Sequence, residues 1–143
     1  MQDAEFDRFI DEISSSGIDY FSIGLIKKDT VSVLFSCAAW QTFYLESQCF
    51  DFDPLVQMAL AKVNRPIDWN SVSIIQKKHS VIMDTRQKLT GCQEGFTVVK
   101  EIDNGTSALL AFGTRGAFFD VVASYLLHEA QIMKLVESLN TKH

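Results

Sequence analysis

Apolar side chains recur at helical spacing from the start of the chain. Phe6, Ile10 and Ile13 lie four and three residues apart, and Asp3, Glu5, Asp7 and Asp11 fall off that face. The pattern predicts an amphipathic helix over about residues 3–15, with acidic groups early, where the helix dipole favours them, and an end at Ser14-Ser15-Ser16-Gly17. Two short runs of strand character follow, residues 19–26 and 30–36, around a Lys27-Lys28-Asp29 turn. In the second run Val31, Val33 and Phe35 share one face, and Thr30, Ser32, Leu34 and Ser36 the other. The smaller, more polar face is the one expected to wall a cavity.

Residues 38–47 and 54–63 read as two short helices. Asp53-Pro54 opens the second, with Asp at the N-cap and Pro at the first helical position, and Arg65-Pro66 breaks it. Residues 70–88 read as a further helix with Ile74, Ile75, Val81 and Ile82 inside and Gln76, Lys77, Lys78 and Arg86 outside. Residues 95–102 and 106–112 flank Asp103-Asn104-Gly105, and Asn-Gly between two alternating runs is a strong hairpin signal. A last helix spans about 117–139, with an apolar face of Leu126, Leu127, Ala130, Met133, Leu135, Val136 and Leu139. Hairpins with helices before, between and after them predict an α/β protein: an α-β-α sandwich around a central antiparallel sheet, PAS- or GAF-like.

Length and composition narrow this picture. The 143 residues fit one domain, 1–143, able to bury about two-thirds of its unfolded surface. Hydrophobic residues make up 47% and charged residues 22%, an ordinary globular balance. The net charge of −5, with Lys27-Lys28 and Lys77-Lys78-His79 as the only short basic groups, argues against direct nucleic-acid binding. Cys37, Cys49 and Cys92 have no metal-ligand spacing, so free, reduced thiols in a cytoplasmic protein are expected, with no metal and no cofactor. The first residues lack the apolar core of a signal peptide, and no apolar run is long enough to span a membrane.

Catalysis finds little support. His79, expected to face solvent, His128, expected to be a satisfied interface histidine, and the terminal His143 show no pairing with a nucleophile and an orienting acid. Neither Gly91-Cys92-Gln93-Glu94-Gly95 nor Gly113-Thr114-Arg115-Gly116 has phosphate-loop spacing. No catalytic residue is assigned.

One constellation stands out: Trp40 and Tyr44 on one face of a short helix, Asp53 at the next helix start, and Trp69 after the Pro66 break. The residues alone leave two readings open. One is an aromatic core with Asp53 as a plain helix cap. The other is a box for an amphiphilic ligand, with indole N–H groups to donate and one carboxylate to accept.

The order W-x3-Y-x8-D-P, then a Trp, then G-x3-G, read here as Trp40, Tyr44, Asp53-Pro54, Trp69, Gly91 and Gly95, resembles the autoinducer-binding domain of LuxR-family quorum-sensing regulators. The resemblance extends over nearly the whole chain. It implies an N-acyl-homoserine lactone as ligand. Trp40 would donate to the lactone carbonyl and Asp53 would accept from the ligand amide. Tyr44 and Trp69 would wall the lactone, and Leu55, Val56, Thr97, Leu109 and Ala111 would line the acyl tunnel. Ser36 stands where many members carry a Tyr that meets the amide carbonyl. Ala111 stands where some offer a hydroxyl to a 3-oxo group. Acyl-chain preference therefore stays open. The chain has no helix-turn-helix segment, as expected of an excised sensor domain or a stand-alone receptor. Its partners would be the autoinducer and a second regulator chain, in a homodimer or heterodimer, through the last helix. The alternative is a ligand-independent interaction module, an anti-activator that heterodimerises with a full-length LuxR-type regulator.

Overall fold

The computed structural model describes residues 3–28, 30–103 and 105–142. The elements in order are α1 (Ala4–Ile13), β1 (Tyr20–Lys27), β2 (Thr30–Phe35), α2 (Ala38–Glu46), α3 (Pro54–Ala61), β3 (Ile67–Asp68), α4 (Lys77–Thr90), β4 (Glu94–Asp103), β5 (Thr106–Thr114) and α5 (Phe118–Lys142). Three-residue 3-10 turns lie at Cys49–Asp51 and Trp69–Ser71.

Local chemistry sets the boundaries. The Asp3 carboxylate accepts from the Phe6 N–H and caps α1. Asp53 caps α3 by accepting from the Leu55 N–H at 3.1 Å, with Pro54 in the first turn. Gly91, at φ +74°, closes α4 in the left-handed conformation that glycine adopts without penalty. Asp29, Asn104 and His143 lie outside the described residues, but the strands on either side of both expected turns pair as hairpins.

The five strands form one antiparallel sheet in the order β2-β1-β5-β4-β3. Alternation along the strands sends successive side chains to opposite faces, and each face has its own core. Phe21, Ile23, Leu34, Phe96, Val98, Leu110 and Phe112 face α1 and α5. There the Phe21, Phe112 and Phe96 rings stack at 4.9 Å centroid spacing, with Tyr125 of α5 edge-on to Phe96 at 5.2 Å. Tyr20, Val99, Leu109 and Ala111 face α2, α3 and α4 on the other side.

Three expectations are corrected. In β2 the apolar face carrying Val33 and Phe35, not the polar one, walls the cavity described below. The register that pairs Leu34 with Ile23 sends Leu34 into the phenylalanine core. The helix expected over 70–88 begins only at Lys77, and its inside and outside are partly exchanged. Ile74, Ile75 and Val81 are exposed, Ile75 at 82%, whereas His79, Ile82, Arg86 and Thr90 form the buried stripe. His79 is therefore not solvent-facing. The expected apolar face of α5 is split. Leu135, Val136 and Leu139 are buried in the core, while Leu126 and Leu127 are exposed at 67% and 81%.

Candidate ligand-binding site

The site lies between the sheet and α2–α4. The i, i+4 spacing on α2 puts Trp40 and Tyr44 on one buried face, with their rings edge-on at 5.2 Å. Phe35 of β2 packs edge-on against Tyr44, also at 5.2 Å. The Asp53 carboxylate is 1% exposed and does more than cap α3. Its Oδ1 takes the Leu55 N–H, and its Oδ2 accepts from the Tyr44 hydroxyl at 2.8 Å and from the Arg86 guanidinium at 2.5 Å.

Arg86 is the residue that sequence reasoning missed. It comes from α4, is 5% exposed, and lies over the ring of Trp40 at 4.9 Å and near that of Trp69 at 5.6 Å. Its second terminal nitrogen donates to the Met83 thioether. The guanidinium thus sits in an aromatic slot, where cation–π attraction adds to the ion pair. Burial by itself would lower its pKa. The Asp53 carboxylate, followed by Tyr44 and Tyr20, outweighs that and holds the group above its ordinary value, so Arg86 is charged. Burial first, and then the Asp53 charge, push the Tyr44 hydroxyl well above its usual pKa. Tyr44 therefore stays protonated and able to donate.

Magnitudes rank the partners of Asp53. Removing one member of a buried pair costs about 3–5 kcal/mol, because the other charge is left uncompensated. One neutral donor on a carboxylate contributes about 1.5–3 kcal/mol. Arg86 is the stronger partner.

The cavity at this site is about 30 Å3, room for one or two waters. Of the expected residues, Trp40, Tyr44, Asp53, Leu55, Val56, Thr97, Leu109 and Ala111 line it together. Tyr20, Ser22, Gly24, Val33, Phe35, Phe50 and Arg86 complete the wall. Two expected residues lie elsewhere. The Ser36 hydroxyl accepts from the Phe21 N–H at 2.9 Å and faces a different surface pocket, near Ile10 and Arg115. This position follows the end of β2, and its hydroxyl is used to tie that end to β1. Trp69 lines an outer cleft of about 220 Å3 on the far side of Arg86. Its indole N–H donates to the Thr97 hydroxyl at 2.9 Å. Gly95 and Gly113 make its seat: a Cβ on Gly95 would come within 2.7 Å of the Trp69 ring, and one on Gly113 within 2.8 Å.

A family model described as "Autoinducer binding domain" matches residues 2–139. The chain belongs to the autoinducer-binding domain family. Its α/β sandwich is shared with the N-acylhomoserine lactone-dependent LuxR-family transcription factor CepR2 of Burkholderia cenocepacia. That similarity has a TM-score of 0.68 at 15% identity over 94% of this chain and 80% of that one. The VqsR ligand-binding domain of Pseudomonas aeruginosa is similar at TM-score 0.60 and 10% identity, covering 92% of this chain and 82% of that one. Escherichia coli SdiA is similar at TM-score 0.59 and 16% identity; 82% of this chain matches, spanning about half (51%) of SdiA. No curated protein sequence matches the chain. Autoinducer-binding domains of LuxR-type regulators are ligand sensors rather than enzymes. Among the described residues no His, Cys, Asp and Glu cluster is built to hold a metal, and no helix is long and apolar enough to cross a membrane.

Proposed function

We propose that this autoinducer-binding domain takes an N-acyl-homoserine lactone between α2, α3 and the sheet, as the sensor of a quorum-sensing LuxR-type regulator in the cytoplasm. The observation that carries this reading is the convergence of Trp40, Tyr44 and Asp53 on one buried aromatic cavity continued by Leu55, Val56, Thr97, Leu109 and Ala111. The carboxylate suits the ligand amide N–H, and the indole N–H suits the lactone carbonyl. The apolar residues suit an acyl chain, each buried methylene contributing about 0.8 kcal/mol. Trp69 walls the head group from the Arg86 side while its N–H holds Thr97, and the Ser36 hydroxyl is engaged by the Phe21 N–H and faces another pocket. The exposed stripe of Phe119, Leu126 and Leu127 on α5 is the surface offered to a second regulator chain.

The test is mass spectrometry of organic extracts after expression with a lactone panel, paired with thermal shifts on the purified protein. A lactone should co-purify and raise the melting temperature by mass action, and Asp53→Ala or Trp40→Ala should abolish both effects. Normal binding by both variants would sink the reading.

The cavity of only about 30 Å3 favours a second reading, a self-filled domain that acts through protein contacts alone. It predicts no co-purified lactone, no thermal shift, and a stable ligand-free protein.

A further inference from the structure

We propose that Arg86 is a displaceable gate. It holds the ligand's place on Asp53, closes the inner cavity off from the outer cleft, and decides which ligands are admitted. This rests on the inner cavity being the ligand site.

Of all the residues lining the two spaces, Arg86 alone lines both. Its side chain is the partition between about 30 Å3 inside and about 220 Å3 outside. The space it fills is flanked by aromatic rings, the guanidinium carbon lying 4.9 Å from the centroid of Trp40 and 5.6 Å from that of Trp69. Its inner contact, with Asp53, is strong. Its other hydrogen bond is to the Met83 sulfur, a weak acceptor, and a guanidinium has five N–H donors to place. The outward half therefore has the weaker hydrogen-bond partner.

The outer cleft offers the departing group a destination. It carries the Asp84 carboxylate and the side chains of Asn70, Gln87 and Gln93. Arg86 leaves one carboxylate for a wetter space containing another, and its vacated slot joins cleft to cavity as the access route. The ligand's single amide N–H is a weaker partner for Asp53 than the guanidinium it replaces. Apolar burial must supply the difference, so the gate rejects amides with short chains and admits those with long ones. It also disfavours an anionic head group, which would meet Asp53 once Arg86 has gone.

The test uses wild type, Arg86→Ala, Arg86→Met and the charge-free pair Asp53→Asn with Arg86→Met, each first checked by circular dichroism. Acrylamide quenching of tryptophan fluorescence reads the partition directly. Arg86→Ala should raise the quenching constant at least about twofold as the Trp40 slot opens to the cleft. Calorimetry with butanoyl- and decanoyl-homoserine lactone reads the selectivity. Wild type should bind only the decanoyl compound, whereas Arg86→Met should bind it at least about tenfold more tightly and accept the butanoyl one. Where the single variants do not fold, the charge-free pair is compared with wild type by quenching and by the ratio of decanoyl to butanoyl affinity, which loss of the gate should lower at least about tenfold and which a weaker acceptor at position 53 leaves unchanged. Unchanged quenching, or lactone affinity that is equal or lower without Arg86, overturns the gate. Raised quenching with no lactone bound by any variant keeps the partition and instead refutes the ligand class proposed above.

Discussion

The Arg86 guanidinium and the Asp53 carboxylate, 33 residues apart in the chain, meet at 2.5 Å inside a slot between two indoles. One aspartate thereby caps a helix, anchors a tyrosine and neutralises an arginine. Each role is ordinary, but together they join α2, α3 and α4 through one side chain.

Removing only one member should be costly. Asp53→Ala leaves Arg86 buried beside apolar rings, and about 3–5 kcal/mol of stability should be lost. Replacing both by Asn and Met should recover most of that. Urea denaturation of the two variants checks this; a double variant no more stable than Asp53→Ala would show that the pair is not the source of the loss.

Gly95 should tolerate no side chain. A Cβ there would lie 2.4 Å from the Phe112 carbonyl oxygen and 2.7 Å from the Trp69 ring, and the carbonyl cannot step aside. Gly95→Ala should cost about 1–3 kcal/mol as overpacking, and should shift tryptophan emission as Trp69 is pushed from its seat. An unshifted spectrum with unchanged stability would contradict this packing.

Acid should loosen the junction between the first and last helices. The Ser138 hydroxyl first, and then Lys142 at 3.0 Å, hold Glu5 below its ordinary pKa. The Phe6 N–H, with help from Lys142, does the same for Asp3. A carboxyl whose folded pKa is depressed contributes stability above its unfolded pKa and loses it as pH falls through the folded one. The contribution should therefore be complete at neutrality and vanish from about pH 4 downward. Circular dichroism across that range should show an acid transition, and Ser138→Ala with Lys142→Ala should remove the Glu5 part of it while the Asp3 cap keeps its own.

Much of this was legible in the sequence. The two hairpins, the Asp53-Pro54 helix start and the Trp40–Tyr44 face follow from local rules, and each appears where those rules put it. Arg86 was not legible as a buried residue, because long cations are normally solvated and its partner comes from a distant segment. A signal was nonetheless present. His79, Ile82, Arg86 and Thr90 are spaced three, four and four apart, a helical stripe in which only one member is apolar. Hydrophobicity alone turned that helix over. Trp69 and Ser36 line neighbouring pockets rather than the inner one for a different reason: where a side chain ends up after a strand depends on what the neighbouring strand and helix offer it. Thr97 took the indole, and the Phe21 amide took the hydroxyl.

The sheet's two cores make the halves of this domain unequal in kind. On one side stacked phenyl rings and two long-range helices form a rigid plate, held by many small terms that no single event can cancel. On the other, α2, α3 and α4 pack through a second aromatic and aliphatic cluster built around one buried ion pair. A molecule that takes Arg86's place should change the second half while the first keeps its shape. Hydrogen–deuterium exchange should accordingly protect the β1 and β5 amides through an event that retunes those of α4, so that the fold serves as a fixed frame beside a spring.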